Sequence, residues 1–303
     1  MRAGSAARVQ AEADAGRLQA FLGLWKPRIG MAIGFTGVTG YALAAGPAFD
    51  PVLAAWLFAG MMLAAGGAGA FNQYVERDLD ARMRRTRSRP FVTGEFRAGP
   101  HWLMAIALVT GTGVALTAWR AGPWAAVGTA LGTLVYAVVY TLWLKRRTHW
   151  NIVIGGLAGS LALLAGAGAV SGQAMGAPLV VAFAVVLFLW TPSHFWSLAI
   201  ALRSDYEAAD VPMLPAVAGP RHTARVVLAN TVVLVAASFV PAALGLGPVY
   251  GLVAAGAGAL FLWHNLRQVR APTPASGRAN FRVSLVHLAL LLGAATLAAT
   301  GIW

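Results

Sequence analysis

Residues 52–75 read VLAAWLFAGMMLAAGGAGAFNQYV, a run of 24 residues without one charged side chain. A helix of about 20 apolar residues crosses the hydrocarbon core of a bilayer, so this run predicts a transmembrane helix. Comparable runs recur along the chain, which is 58% hydrophobic and only 11% charged. A soluble domain carries about 25% charged residues, and the charges here are too few to cover a surface that faces water.

The apolar runs predict an all-α integral membrane protein with nine transmembrane helices. A helix satisfies its own backbone hydrogen bonds in lipid, whereas the short alternating segments of a membrane barrel are absent from the sequence. The predicted spans are residues 29–46, 52–75, 100–119, 123–144, 151–170, 178–201, 224–243, 247–266 and 283–302.

The basic residues predict the orientation of these spans. Of the 23 lysines and arginines, only Arg120 falls outside the tail and loops of one side. Basic loops stay in the cytoplasm, so the N-terminus is predicted to be cytoplasmic and the C-terminus to lie outside. The net charge of +13 is therefore explained by topology and does not indicate nucleic-acid binding.

The sequence divides into residues 1–28, a cytoplasmic N-terminal tail, and residues 29–303, a single transmembrane domain. The tail is too polar for a signal peptide, so the first span is expected to direct insertion into the plasma membrane. Within it, residues 8–25 are expected to form either a short amphipathic helix on the membrane surface or a frayed end.

The loop after the second span carries the first candidate site. Asn72, Glu76 and Asp80 are spaced four residues apart and would share one face of a helix. Polar groups at the end of an apolar span are costly unless they face a cavity or a partner. Oxygen ligands here suit Mg²⁺, which binds few carboxylates and accepts oxygens from a substrate phosphate. The neighbouring arginines offer forked donors to the same phosphate.

A second acidic loop, beginning at Asp205, follows the sixth span on the same predicted side. Two carboxylate clusters that face each other can hold two divalent ions around one diphosphate. The alternative is that both loops are solvated signals of topology. Positive-inside topology requires no carboxylates, yet nearly all the acids lie in these regions, which favours a metal–diphosphate site. The chain has no cysteine, so thiolate chemistry is excluded.

Four segments, in order, resemble a known family. They are NQYVERDLDARMRRTRSRP at 72–90, YTLWLKRRTHWNIVIGG at 140–156, TPSHFWSLAI at 191–200 and DYEAADVPMLP at 205–215. The first resembles the aspartate-rich motif of the UbiA superfamily of membrane prenyltransferases. Together the four resemble, more narrowly, its protohaem IX farnesyltransferases.

The resemblance implies a nine-helix bundle around a central cavity, and transfer of a farnesyl group from farnesyl diphosphate to a vinyl group of protohaem IX with addition of water. The products would be haem O and pyrophosphate, and a haem A synthase is implied as a partner. The resemblance assigns Mg²⁺ binding, and with it catalysis, to Asn72, Glu76, Asp80 and Asp205. It assigns phosphate or other substrate contacts to Arg77, Arg82, Arg85, Arg89, Lys145 and Arg146.

Two further residues complete the candidate substrate-binding set. Tyr206 follows Asp205, and His194 lies within TPSHFW, where it is expected either to contact haem or to be a packed, hydrogen-bonded group. The family spacing would place a second acid at position 209, where this chain has Ala209. The nearest acids are Glu207 and Asp210, so the second ligand of this loop stays open between them.

Three other functions compete with this interpretation. One is a related prenyltransferase that acts on a quinone-type aromatic ring, and the third and fourth segments, TPSHFWSLAI and DYEAADVPMLP, disfavour it. Another is a transporter, for which charges near mid-membrane or broken helices are expected. The third is a haem-binding assembly factor without catalysis.

Overall fold

A computed structural model describes residues 16–302, and this range is helical throughout apart from turns and connecting segments. The prediction of an all-α fold is confirmed for these residues. The helices are α1 (16–24), α2 (Pro27–Ala45), α3 (Pro51–Val75), α4 (Arg77–Arg82), α5 (Pro90–Thr93), α6 (Pro100–Leu134), α7 (Asn151–Gly155), α8 (Leu157–Gly168), α9 (Pro178–Ala201), α10 (Arg203–Ala208), α11 (Leu214–Val217), α12 (Pro220–Ala237), α13 (Gly247–Arg270) and α14 (Pro274–Ala299). Helix α6 continues as a π-helix over Val135–Leu144.

The predicted helix at 8–25 lies partly outside the described residues. Its later part is helical as α1, and Leu24 at the end of α1 is fully buried. The amide of Gln73 on α3 donates to the carbonyl of Leu24 at 3.0 Å. The end of the predicted tail therefore packs against the transmembrane helices.

Seven helical segments of the described chain are long and apolar enough to cross a membrane. Two of them, Pro100–Leu144 with 45 residues and Pro220–Arg270 with 51, exceed what one crossing needs. The first is broken at Gly122, with φ 86° and ψ 173°, and the second at Gly245, with φ 124°. Glycine adopts such positive φ angles readily. Both breaks fall where the sequence predicts one span to end and the next to begin.

The outer surface is apolar, as lipid contact requires. Large side chains with about three quarters of their surface exposed include Met104 and Leu252, and Trp119 is 71% exposed. These side chains could not face water over so large an area in a soluble protein. The chain is a multi-pass membrane protein.

Small residues let the helices of the N-terminal half approach closely. A Cβ atom added at Gly40 of α2 would overlap the carbonyl of Leu163 on α8, and one added at Gly166 of α8 would overlap the carbonyl of Gly37. Reciprocal glycines of this kind bring two backbones into contact where lipid supplies no hydrophobic driving force.

Hydrogen bonds join the helices of the C-terminal half. The Asn280 amide of α14 donates to Gln268 Oε1 of α13 at 2.7 Å and to Ser197 Oγ of α9 at 2.9 Å. The Asn265 amide donates to Asn280 Oδ1, and Thr231 of α12 donates to Asn265 Oδ1, both at 3.3 Å. All five side chains are fully buried, so this network fixes which helices pair inside an apolar bundle.

Candidate active site

The last turn of α3 and the start of α4 carry the first predicted site. Glu76 ends α3, since its backbone N–H bonds to the Asn72 carbonyl at 3.1 Å while φ −96° and ψ 17° leave the helical region. Its own carbonyl accepts the Asp80 N–H at 2.8 Å and so starts α4. Asn72, Glu76 and Asp80 are therefore linked by helical bonds across a break, and all three are buried.

Each of these three side chains contacts one cation from another segment. Lys26 Nζ donates to Asn72 Oδ1 at 2.8 Å, and Lys145 Nζ lies 2.5 Å from Glu76 Oε2. Arg89 Nη1 lies 2.5 Å from Asp80 Oδ2. Buried charges persist only when they are paired. The structure thus gathers Lys145 and Arg89, both predicted, around the acidic motif.

Lys26 is the member of this group that sequence reasoning missed. The sequence indicates only a charge that sets topology at this position, because Lys26 precedes Pro27 at the start of a long apolar run. It adopts a left-handed conformation, with φ 46° and ψ 57°, which a non-glycine residue rarely does. That backbone lays its methylene groups along Gly69, with Cδ 3.0 Å from where a Cβ would stand.

The donor set fits Mg²⁺. Glu76 Oε1 is buried and makes no hydrogen bond, and an unpaired buried oxygen is costly unless a ligand engages it. Among residues 16–302, the acids and histidines form no cluster of three or more that would hold an ion by themselves. Mg²⁺ needs no such cluster, because it combines one or two carboxylates with waters and substrate phosphate.

The second loop lies against the first. Asp205 Oδ1 accepts the backbone N–H of Arg84 at 3.2 Å, and Oδ2 accepts that of Arg85 at 3.3 Å. The carboxylate thus holds the turn after α4 in place. Glu207 pairs with Arg203 at 2.6 Å, and Asp210 pairs with Arg82 at 3.0 Å.

The remaining predicted phosphate ligands lie around this end of the bundle. Arg146 makes two bonds to Asp78, at 2.6 and 2.8 Å, and this hydrogen bonding lowers the pKa of the Asp78 carboxyl. The Arg77 guanidinium lies 4.6 Å above the Tyr74 ring. Arg85 lines a shallow surface pocket together with Asp205. Among the cationic side-chain groups, those of Lys145 and Arg89 contact metal-binding candidates, whereas those of Arg77, Arg82 and Arg146 bind other groups.

Tyr206, in the second loop, is buried in a cluster that also contains Leu79 and Trp196. Burial raises the pKa of its phenol, while the nearby Arg85 opposes that rise. Tyr206 therefore stays a neutral hydroxyl that can donate a hydrogen bond.

An apolar cavity lies directly beneath Lys26. It is walled by α2, α3, α6 and α8, mostly by alanine, glycine and threonine, and Tyr136 stands with Lys26 at its polar end. Tyr136 and Tyr140 stack with their centroids 5.7 Å apart. A cavity with an apolar interior and a polar entrance suits an amphiphilic ligand.

His194 lies apart from that cavity, between α9 and α14. Its ring stacks between Trp190, 4.1 Å away, and Phe281, 4.4 Å away. Nδ1 lies 2.7 Å from Ser284 Oγ, whose only proton goes to the Phe281 carbonyl at 2.6 Å. With its proton in that bond, Ser284 accepts from Nδ1–H, and this tautomer of the neutral ring carries its lone pair on Nε2. Sequence reasoning could not assign this tautomer.

The family model of the UbiA prenyltransferase family matches residues 33–298. The fold also resembles solved structures. A digeranylgeranylglyceryl phosphate synthase superposes with a TM-score of 0.74 at 17% identity, over 94% of this chain and 99% of that one. A UbiA homologue from Archaeoglobus fulgidus, bound to DMAPP and Mg²⁺, gives 0.67 at 14% identity, over 92% and 98%. The chain belongs to the UbiA prenyltransferase family of membrane proteins.

Curated relatives within the family share one name. Protoheme IX farnesyltransferase 2 of Paramagnetospirillum magneticum is 49% identical over 279 residues, which cover 91% of this chain and 96% of the relative. Protoheme IX farnesyltransferase 1 of the same organism is 47% identical, over 89% and 95%. The family resemblance found in the four segments is confirmed.

Proposed function

We propose that this protein transfers a farnesyl group from farnesyl diphosphate to a vinyl group of protohaem IX, giving haem O and pyrophosphate. The observation that carries the proposal is the position of a buried, incompletely bonded acidic motif directly above an apolar cavity. The names of relatives 47–49% identical over nearly the whole chain support the choice of donor and acceptor.

The residues at the mouth of the cavity would bind the diphosphate. Mg²⁺ held by Asn72, Glu76 and Asp80 would neutralise the charge that develops on the leaving pyrophosphate. Lys145 and Arg89 already lie at 2.5 Å from these acids and would place their donors beside the same phosphates. Asp205 would support the site by holding the Arg84–Arg85 turn, and it remains our candidate fourth metal ligand.

The reaction replaces the carbon–oxygen bond at farnesyl C1 by a carbon–carbon bond. The bond between the farnesyl C1 and the diphosphate oxygen breaks, and C1 bonds to the terminal carbon of the vinyl group. Water adds its hydroxyl to the other vinyl carbon and releases a proton. Apolar walls limit premature attack by water on the allylic cation, and the stacked rings of Tyr136 and Tyr140 offer aromatic faces to its charge.

The haem would be bound beside α9. The Nε2 lone pair of His194 is a suitable ligand for haem iron, and its Nδ1–H is fixed by Ser284 as metal-binding histidines usually require. The flanking Trp190 and Phe281 rings hold the imidazole plane. The neutral Tyr206 hydroxyl is proposed as a donor to substrate, and a haem A synthase as the partner that receives the product.

The topology belongs to the same proposal. An α-helix of 45 residues rises about 68 Å, roughly twice the hydrocarbon thickness, so the two long segments would each cross twice around the breaks at Gly122 and Gly245. This gives nine spans within one transmembrane domain at 29–303 and a cytoplasmic tail at 1–28. The arginine-rich loops then place the active site on the cytoplasmic side of the plasma membrane.

The test is direct. Purified protein in detergent is incubated with protohaem, farnesyl diphosphate and Mg²⁺, and the haem is analysed by mass spectrometry. Haem heavier by one farnesyl group and one water, formed only without EDTA, would support the proposal. If the haem stays unmodified while the same sample prenylates an aromatic quinone precursor, that precursor replaces protohaem as the acceptor. If no acceptor is prenylated, the proposed reaction is contradicted.

A further inference from the structure

The depth of the cavity beneath Lys26 follows from the spacing of the residues that line it. Lys26, Gly69 and Tyr136 mark its polar end, and Met61 lines it eight residues before Gly69 on α3. At 1.5 Å per residue that separation is about 12 Å. Gly128 lies eight residues before Tyr136 on the facing helix α6 and also lines the cavity, so the two walls end at the same depth.

Met61 differs from the other α3 residues that line the cavity. Those residues are alanine or glycine, and they leave a smooth channel. The Met61 side chain is 1% exposed and belongs to the close-packed core with Tyr41, Leu57 and Ala125. Gly37 of α2 makes room for it, because a Cβ there would overlap Met61 Sδ. Below Met61 the bundle is filled.

We propose that Met61 forms the floor of the cavity and limits the isoprenoid donor to three isoprene units. The inference rests on the proposed function, since it takes the cavity as the site of the prenyl chain. A depth of about 12 Å below the diphosphate accommodates most of an extended farnesyl chain. A fourth isoprene unit would have to occupy the volume of the Met61 side chain, and a well-packed core resists such insertion.

The experiment compares farnesyl and geranylgeranyl diphosphate as competing donors to protohaem, with products separated by mass. Met61→Ala is expected to raise the ratio of geranylgeranyl to farnesyl transfer at least tenfold. The matched control is Met62→Ala, because Met62 is the adjacent methionine, is half-buried and contacts Gly30 of α2 outside the cavity. Its ratio is expected to equal that of the unmodified protein.

A second variant covers the case in which Met61→Ala does not fold. Ala65→Leu places a larger side chain within the cavity above Met61 and is expected to favour geranyl over farnesyl diphosphate by at least tenfold. Farnesyl transfer that persists in Met61→Ala with an unchanged donor ratio would overturn the inference, as would an unchanged ratio in Ala65→Leu. If the unmodified protein does not modify haem, protohaem is not its acceptor, and the role of Met61 is unaffected. The same ratio of donors is then measured with the acceptor that the protein does use.

Discussion

Glu76 and Lys145 meet at 2.5 Å through one carboxylate oxygen, while the other oxygen of Glu76 is buried without a partner. A pair that were only structural would use both oxygens, because an unsatisfied buried acceptor costs roughly 1–3 kcal/mol. The unpaired oxygen of Glu76 is therefore available to bind a metal ion, which would satisfy it.

Replacing Glu76 with Gln should therefore abolish most of the activity. The change keeps the shape of the side chain and removes its charge, and loss of one transition-state charge partner costs about 10²–10³-fold in kcat. The measurement is farnesyl transfer against Mg²⁺ concentration. Glu95→Gln is the control, since Glu95 is exposed in the same inter-helix segment. Equal activity of both variants would remove Glu76 from the site.

Asp205 should prove to organise the neighbouring loop. Its two bonds to the Arg84 and Arg85 amides contribute about 1.5–3 kcal/mol each as charge-assisted hydrogen bonds, so Asp205→Ala is expected to free an arginine-rich turn. Trypsin should then cut there faster, with turnover reduced at least tenfold. Asp210→Ala, which removes an exposed acid paired with Arg82, should leave cleavage unchanged. If Asp205→Ala loses activity while trypsin cleavage is unchanged, Asp205 does not organise the turn, and its role is that of a metal ligand only.

The Asp78–Arg146 pair should give a small pH-dependent stability. Hydrogen bonding lowers the Asp78 pKa in the folded protein, so its contribution is present above the unfolded value of about 3.9. It is lost as pH falls through the lower folded value. Because the two side chains are 53% and 40% exposed, the contribution should stay within about 1 kcal/mol. The thermal unfolding of the protein and of Asp78→Asn should differ at pH 6, and the difference should shrink as the pH falls below the unfolded value of about 3.9.

His194 should determine the spectrum of bound haem. If His194 binds the haem iron as proposed, His194→Ala is expected to shift the Soret band of bound protohaem and to raise its Kd at least tenfold. His101→Ala is the control, because His101 is an exposed histidine next to Trp102 at the start of α6. If the spectrum is unchanged in His194→Ala, His194 does not bind the iron, and its ring serves only to pack between Trp190 and Phe281.

The absence of cysteine makes the topology accessible to single-cysteine labelling. If α6 crosses the membrane twice, Arg120→Cys should react with a membrane-impermeant thiol reagent added outside intact cells. Arg147→Cys should react only after the cells are opened. Both positions are exposed. Labelling of both from the same side would refute the double crossing at Gly122.

The sequence predicted those features that depend on local composition. Uncharged runs predicted the helices. The spacing of Asn72, Glu76 and Asp80 predicted a shared face, because residues four positions apart lie about one turn apart on a helix. The contacts it could not predict join distant residues. Lys26 reaches Asn72 across 46 positions through a left-handed backbone that its residue type does not suggest. The amides bound by Asp205 carry no side-chain signature, and the tautomer of His194 depends on where Ser284 sends its proton.

The cations around Asn72, Glu76 and Asp80 also bear on how a charged substrate enters a low-dielectric site. Lys145 and Arg89 already balance the charges of Glu76 and Asp80, and Lys26, bonded to the neutral Asn72, adds one further positive group. The oxygens of Asn72, Glu76 and Asp80 would hold the magnesium ion, and the ammonium and guanidinium groups that now contact them would then be free to bind the phosphates, whose charge the metal would largely neutralise. The local net charge then changes little, and the Born energy of burying an isolated ion is avoided.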